Sequence, residues 1–382
     1  MQALQFLNTP ADKIRAEIAT GGAISFARFM ELALYCPDCG YYEKKNETIG
    51  QHGDFYTSVS VGPVFGNLLA FQFAEWLAER GTRNAERGAS PVEIVEAGAH
   101  DGRLAKDILN WLKWHRPALL DQIEYGIVEP SARRQERQRE TLGEFASRVR
   151  WVADLGSLGG DSNCAVSHPQ LNGVIFCNEL LDALPVHRLG WDARECDWYE
   201  WGVTMKDGDF AWARLPKTSH LSHRTLHVPP ELREILPDGF TTEICPAAES
   251  WWRAAAGQLD RGRLVAIDYG LNAGEFFAPH RAGGTLRAYH RHRLSPEVLA
   301  HVGDQDLTAH VNFSALQAAG EASGLRTELL ETQERFLTDI ARRAWDEGSG
   351  FGPWTSTHTR QFQTLTHPEH LGRPFRVLVQ VK

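Results

Sequence analysis

No stretch of this 382-residue chain approaches the roughly 18–20 uninterrupted apolar residues that cross a bilayer, so no membrane insertion is expected. Cysteine is scarce: six residues, at 36, 39, 164, 177, 196 and 245. That is too few for a disulfide scaffold at this length, and a reducing compartment is the natural setting. Positive charge is not in excess. Lys and Arg number 40 against 49 Asp and Glu, a net charge of −9. The chain therefore has no electrostatic drive towards nucleic acid. Internal repeats and low-complexity tracts are missing. So are G-x-S-x-G, G-x-x-x-x-G-K-[ST] and H-E-x-x-H, which argues against the hydrolase elbow, the phosphate loop and the helical zinc site. The start, MQALQFLNTPADKIRAEIATGG, has no basic run followed by an apolar one, so neither a signal nor a transit peptide is expected, and a cytoplasmic protein is the default.

Apolar residues make up 42% and charged residues 23%, the balance of an ordinary globular protein rather than a disordered one. Residues 1–90 read as a helical, irregular cap. Ala11–Ala19 and Ser25–Tyr35 have helical spacing, with Ser25 as N-cap, and Val64–Glu79 is apolar enough for a buried helix. The polar stretch 81–91 reads as a linker. From Val92 the texture changes: VEIVEAG, IEYGIVEP, VRWVADL, GVIFCNELL and RLVAIDYG are strand-like runs, and the first two lead directly into helical patterns. Ser131 is placed to cap the helix over 131–142. Strands alternating with helices imply βαβ units and a parallel sheet. Residues 91–382 thus read as one α/β domain with insertions at about 185–262 and 271–312. Within the first insertion Asp207-Gly208 marks a β-hairpin. The last two apolar runs, LRTELLETQ and PFRVLVQVK, are placed to close the sheet.

Chemistry concentrates where strands end. Glu96, Gly98 and Gly102 give E-x-G-x-x-x-G at the first strand–helix turn. Ligands of open parallel sheets bind beyond the carboxyl ends of the strands, and glycine there lets the backbone approach a ligand. Glu96 is suited to a cationic group, Glu129 at the second tip to ribose hydroxyls, and Asp154 with Leu155 at the third to an adenine. Together these describe a pocket for an adenosine-containing ligand. A pyrophosphate dinucleotide wants G-x-G-x-x-G and a ribose acid about 20 residues on. The first turn here has no G-x-G, and Glu129 comes later. A methyl donor, with an ammonium for Glu96, fits better than NAD. At the fourth tip, N-E-L-L-D-A-L-P-V-H (178–187) sets Glu179 and Asp182 three apart, a carboxylate pair that suits a guanidinium or simply braces the turn.

Other features read as ordinary. The basic run at 133–139 is a solvated helix face. Cys36 and Cys39 form a C-x-x-C without the second ligand pair that zinc requires, and read as two loop cysteines. His290, His292, His367 and His370 match no metal pattern.

The order GYYEKK (40–45), GDFYTS (53–58), VFGNLLA (64–70), VEAGAHDGRL (95–104), NELLDALPVH (178–187), IDYG (267–270), GTLRAYHRH (284–292) and DLTAHVNFSAL (306–316) resembles the MidA family of class I S-adenosylmethionine-dependent methyltransferases, over residues 20–335. These are relatives of the mitochondrial complex I assembly-factor protein-arginine methyltransferase. The resemblance implies a Rossmann-like, mostly parallel seven-stranded sheet with an N-terminal helical cap and inserted substrate elements. It implies S-adenosyl-L-methionine as cofactor. It also implies a protein substrate, which for the mitochondrial relative is a respiratory-complex subunit methylated on arginine, and it leaves room for a homodimer. By motif position, Gly53, Thr57, Ser58, Glu96, Gly98, Gly102, Glu129 and Asn178 carry over as cofactor contacts, with Asn178, Glu179 and Asp182 as the acceptor floor. Two positions depart from the family. His100 replaces a glycine of E-x-G-P-G-x-G, and TSVSVG (57–62) replaces TSPEIS. A non-catalytic binding or assembly protein with a decayed pocket is the alternative these departures motivate. A nucleotide-dependent oxidoreductase is a third, opposed by a first strand–helix turn without G-x-G.

Overall fold

The computed structural model describes residues 9–44, 57–81, 92–159, 171–216, 235–291 and 293–382. The chain divides into two compact units. One comprises Met1–Phe55, Asp182–Ser250 and Leu271–Ala315; the other comprises Tyr56–Leu181, Trp251–Gly270 and Leu316–Lys382.

The second unit is built on a sheet. Its strands in chain order are β1 (Val92–Ala97), β2 (Ile123–Val128), β3 (Val149–Val152), β4 (Leu171–Asn178), β5 (Leu259–Leu271), β6 (Arg326–Thr332) and β7 (Phe375–Val381). The order along the sheet is β3-β2-β1-β4-β5-β7-β6. Neighbours from β3 to β5 are parallel, and β7 enters antiparallel between β5 and β6. The two last apolar runs thus pair, but as neighbours separated by the helices Gln333–Ala344 and Ser356–Thr366 rather than as a tight hairpin. Central strands are apolar on both faces, as helices on either side require: Ile94, Val95, Val174, Ile175, Phe176, Val265 and Ile267 are all fully buried.

Three helices cover the sheet edge that matters below: α1 (Val64–Gly81), α2 (Arg103–His115) and α3 (Ala132–Leu142). In α1, Phe65, Leu68, Leu69 and Phe73 are fully buried in the same core as Ile94 and Phe176. The Phe73 and Phe176 rings lie 5.1 Å apart. This packing groups residues from 56 onwards with the sheet, whereas the sequence placed its boundary at 90/91. Ser131 caps α3 by accepting the Arg134 N–H.

The first unit gathers what the sequence separates into a cap and two insertions. Helix Pro10–Gly21 starts at Thr9, whose hydroxyl accepts the Asp12 N–H at 3.1 Å, and Ser25 caps Phe26–Tyr35 in the same way at 3.2 Å. An antiparallel sheet carries the order Ile24–Ser25, Asp197–Lys206, His187–Asp192, Thr241–Ile244, with Asp209–Arg214 paired to Asp197–Lys206. The Asp207-Gly208 turn is a hairpin with both residues at positive φ, 52° and 93°, the geometry that matches strand twist. Its strands supply Phe210 and Trp212, which pack on Phe29 and Phe26. No helix among the described residues is long and apolar enough to cross a membrane.

Candidate functional site

Register builds the site in the sheet unit. Ala97 lies opposite Val128 and Cys177, Val128 opposite Val152, and Ile267 opposite Asn178. The carboxyl tips of β1 to β4 therefore end at one level. Gly98, Glu129, Asp154 and Asn178–Glu179 leave the sheet along one edge, where open parallel sheets take their ligands.

The first turn needs left-handed backbone. Gly98, His100 and Gly102 have φ of 72°, 45° and 85°. A Cβ on Gly98 would meet Leu180 Cδ1 at 2.8 Å, so that side chain would have to shift, and the backbone conformation itself favours glycine. His100 adopts the same region at a cost of roughly 1–2 kcal/mol. Its carbonyl accepts Gln138 Nε2 at 3.1 Å, which holds the turn against α3. Asp101 takes the Arg103 N–H at 3.1 Å and Arg103 Nε at 3.0 Å. Burial works against the Asp101 charge, but the His100 and Arg103 contacts win and leave its pKa below the usual value.

Glu96 is sealed at the end of β1. It is 3% exposed, and Tyr125 donates its hydroxyl to Oε2 at 2.7 Å. Burial raises its pKa to about 8; the Tyr125 hydrogen bond offsets only part of that. Glu129 is 1% exposed and committed to the start of α3. Its Oε1 accepts the Ser131 N–H and Arg134 Nε, both at 2.9 Å, and Oε2 accepts Gln138 Nε2 at 3.2 Å. Burial still raises its pKa against the pull of Arg134. One arginine of the run expected to be solvated thus turns inward. Asp154 is exposed and caps the turn that follows, accepting the Ser157 N–H at 2.9 Å, while Leu155 is buried.

A second cluster forms at the tip of β4. Glu179 sits at φ 50°, left-handed for a residue with a side chain, the kind of strain that collects at functional positions. Its N–H donates to Ile267 O at 2.9 Å. Its Oε1 receives Asn178 Nδ2 at 3.1 Å and the Ser58 N–H at 3.2 Å. Ser58 is fully buried and donates its hydroxyl to Gln333 Oε1 at 3.2 Å; Gln333 Nε2 in turn reaches Leu365 O at 3.1 Å and Leu371 O at 3.3 Å. The end of GDFYTS is thereby fixed on the start of NELLDALPVH. Thr57 turns on itself, exchanging hydrogen bonds with Ser60. Gly53 lies outside the described residues. Asp182 belongs to the other unit, where it is 7% exposed and its carbonyl accepts the Ala309 N–H at 2.9 Å.

Gln138, Tyr125 and Gln333 are the participants that the sequence did not single out. Gln138 links the first turn, Glu129 and the Trp151 indole N–H. None sits in a motif of charged or glycine residues; only the α3 position of Gln138, facing the sheet, offered a sign. Among the described residues no group of three or more His, Cys, Asp and Glu could hold a metal.

Chemically, the edge offers acceptors and carboxylates without a phosphate cradle. Asn178 Oδ1 is buried and has no hydrogen bond among the described residues, an acceptor suited to an ammonium donor. That orphan, beside the glycine turn, fits the methionine end of S-adenosylmethionine. The sealed Glu96 fits it only in its ionised form.

Comparison with known proteins agrees. Residues 68–330 match the family profile described as "Putative S-adenosyl-L-methionine-dependent methyltransferase". A Burkholderia thailandensis protein crystallised with S-adenosyl-homocysteine is 31% identical, with a TM-score of 0.78, over 98% of this chain and 92% of that one. A protein named mitochondrial protein arginine methyltransferase NDUFAF7 from Xenopus laevis is 26% identical, over 94% of this chain and 81% of its own. Its Drosophila melanogaster homologue is 27% identical, over 82% and 70%. The chain belongs to this S-adenosyl-L-methionine-dependent methyltransferase family, and S-adenosyl-L-methionine is its cofactor. The expectation of a cytoplasmic protein is corrected by the same relatives, which are named as mitochondrial; a start with acidic residues and no apolar run does not decide the compartment.

Proposed function

We propose that this methyltransferase transfers a methyl group to an arginine guanidinium of a partner protein. Membership of the family removes the oxidoreductase alternative. The arginine assignment is supported by the names of the NDUFAF7 relatives, and one observation carries it in this chain. Glu179 is a carboxylate held in left-handed backbone at the tip of a central strand, with Oε1 fixed by Asn178 and the Ser58 N–H.

When bound, S-adenosylmethionine supplies an electrophilic sulfonium methyl. The residues do the positioning, which is the larger part of such catalysis. Asn178 Oδ1 and ionised Glu96 would take the methionine ammonium. Gly98 and Gly102 let the turn come close, Glu129 would take the ribose, and Asp154 with Leu155 the adenine. Thr57, Ser58 and Gly53 would border the donor. Glu179 would accept guanidinium N–H groups, drawing positive charge to the nitrogens it holds while another presents its lone pair. Within the α/β class, a seven-stranded sheet with insertions at about 185–262 and 271–312 belongs to the same proposal. A respiratory-complex subunit as substrate and a homodimer as the working form belong to it too.

The test is methyl transfer from labelled donor to purified respiratory complex, with the modified residue located by mass spectrometry. Glu179→Gln should lower the rate about 10- to 100-fold, the loss of one charge-assisted hydrogen bond, with donor affinity within a few-fold. Full activity in this variant would overturn the acceptor assignment.

A further inference from the structure

The Cys36-Pro37-Asp38-Cys39 turn takes no part in the site above. Cys36 ends helix Phe26–Tyr35, and the chain folds back at once: the Cys39 and Gly40 N–H groups both donate to Cys36 O, at 3.2 and 2.7 Å. Two free sulfurs are brought to 2.8 Å by this turn. Lys13 Nζ, from helix Pro10–Gly21, donates to Cys36 Sγ at 3.0 Å. The last carbonyls of a helix disfavour a thiolate; the ammonium supplies the opposing charge, and its contact with the sulfur raises the Lys13 pKa. Burial, then the hydrogen bond with Cys36, pushes the Cys39 thiol up to about 11. Cys36 is only 2% exposed, but it lines a pocket of about 540 Å³ together with Lys13, Glu17, Arg28, Tyr35 and Pro37. Two thiols in contact, a cation on one of them and a pocket leading to that one are the parts of a dithiol exchange site.

We propose that Cys36 and Cys39 are a redox-active pair that a small-molecule disulfide, such as glutathione disulfide, oxidises to an intramolecular disulfide. Cys36 attacks as the thiolate, its proton passing to solvent. Its sulfur bonds to one glutathionyl sulfur, and the other glutathione leaves as thiolate. Cys39 then gives up its proton and attacks the Cys36 sulfur, forming the Cys36–Cys39 bond and expelling the second glutathione. Two electrons pass from the pair to glutathione disulfide, which becomes two thiols. Reducing thiols reverse both steps.

The full chain is equilibrated at a series of glutathione to glutathione-disulfide ratios, the free thiols are alkylated, and the peptides are read by mass spectrometry. A Cys36–Cys39 linked peptide should accumulate as a single two-electron transition, with the other cysteines alkylated throughout. Cys39→Ser should instead trap one glutathionyl group on Cys36, and Cys36→Ser should trap none on Cys39. Lys13→Met should slow oxidation about tenfold, having lost the cation beside the attacking sulfur. No linked peptide in pure glutathione disulfide overturns the proposal, and so does a glutathionyl group found on Cys39 in place of Cys36.

Discussion

Cofactor binding should release a proton, and Glu96 is its source. With a pKa of about 8, this carboxyl is about nine-tenths protonated at pH 7 in the free protein. A protonated carboxyl gives an ammonium no charge to pair with, so a ligand bearing one selects the ionised form and displaces the proton. Because burial raises the pKa, affinity is weak on the acid side and grows as pH rises towards 8. The ionised fraction climbs from about one-hundredth at pH 6 to about one-tenth at pH 7, so affinity should rise about tenfold across that unit. Isothermal titration with S-adenosyl-homocysteine, whose amine keeps its charge in this range, measures this directly. Repeating the titration at pH 7 in buffers of different ionisation enthalpy should give close to one proton released per ligand. Glu96→Gln has nothing to release and should bind with a flat pH profile. A flat profile and buffer-independent enthalpy for the natural protein would refute the placement of the ammonium at Glu96.

Three further outcomes follow from the packing. His100→Gly removes a left-handed side-chain residue at φ 45°; relief of roughly 1–2 kcal/mol, set against about 0.5–1 kcal/mol of added chain entropy and the lost contact with Asp101, should leave the urea midpoint close to that of the natural protein, with the slope unchanged. Gln333→Leu leaves Ser58 Oγ and the Leu365 and Leu371 carbonyls without the side chain they bond, and should cost about 1–3 kcal/mol in the same assay. Leu68→Ala, in a fully buried position of α1, should cost about 2–5 kcal/mol; a loss under 1 kcal/mol would mean that α1 is not part of the sheet's core.

What the residues announced, and what they withheld, divides along the range of the interactions involved. Ser25, Ser131 and Asp207-Gly208 were legible because a cap or a two-residue turn is decided within four residues. The strands were legible because each is a short apolar run between breakers. The gathering of three distant segments into one unit was not, since Phe26 meeting Trp212 leaves no periodic mark in either segment. The same limit applies inside the site. Glu96, Glu129 and Glu179 were found as acidic strand tips, yet they are three different chemical objects. Glu129 is engaged by Arg134 and Gln138, Glu179 is strained and held by Ser58, and Glu96 is shut in with Tyr125. A tip position tells that a carboxyl is present. Its charge depends on burial and on partners brought from a neighbouring strand or a distant turn, and that charge governs whether the site meets its cofactor as an ion or must first lose a proton.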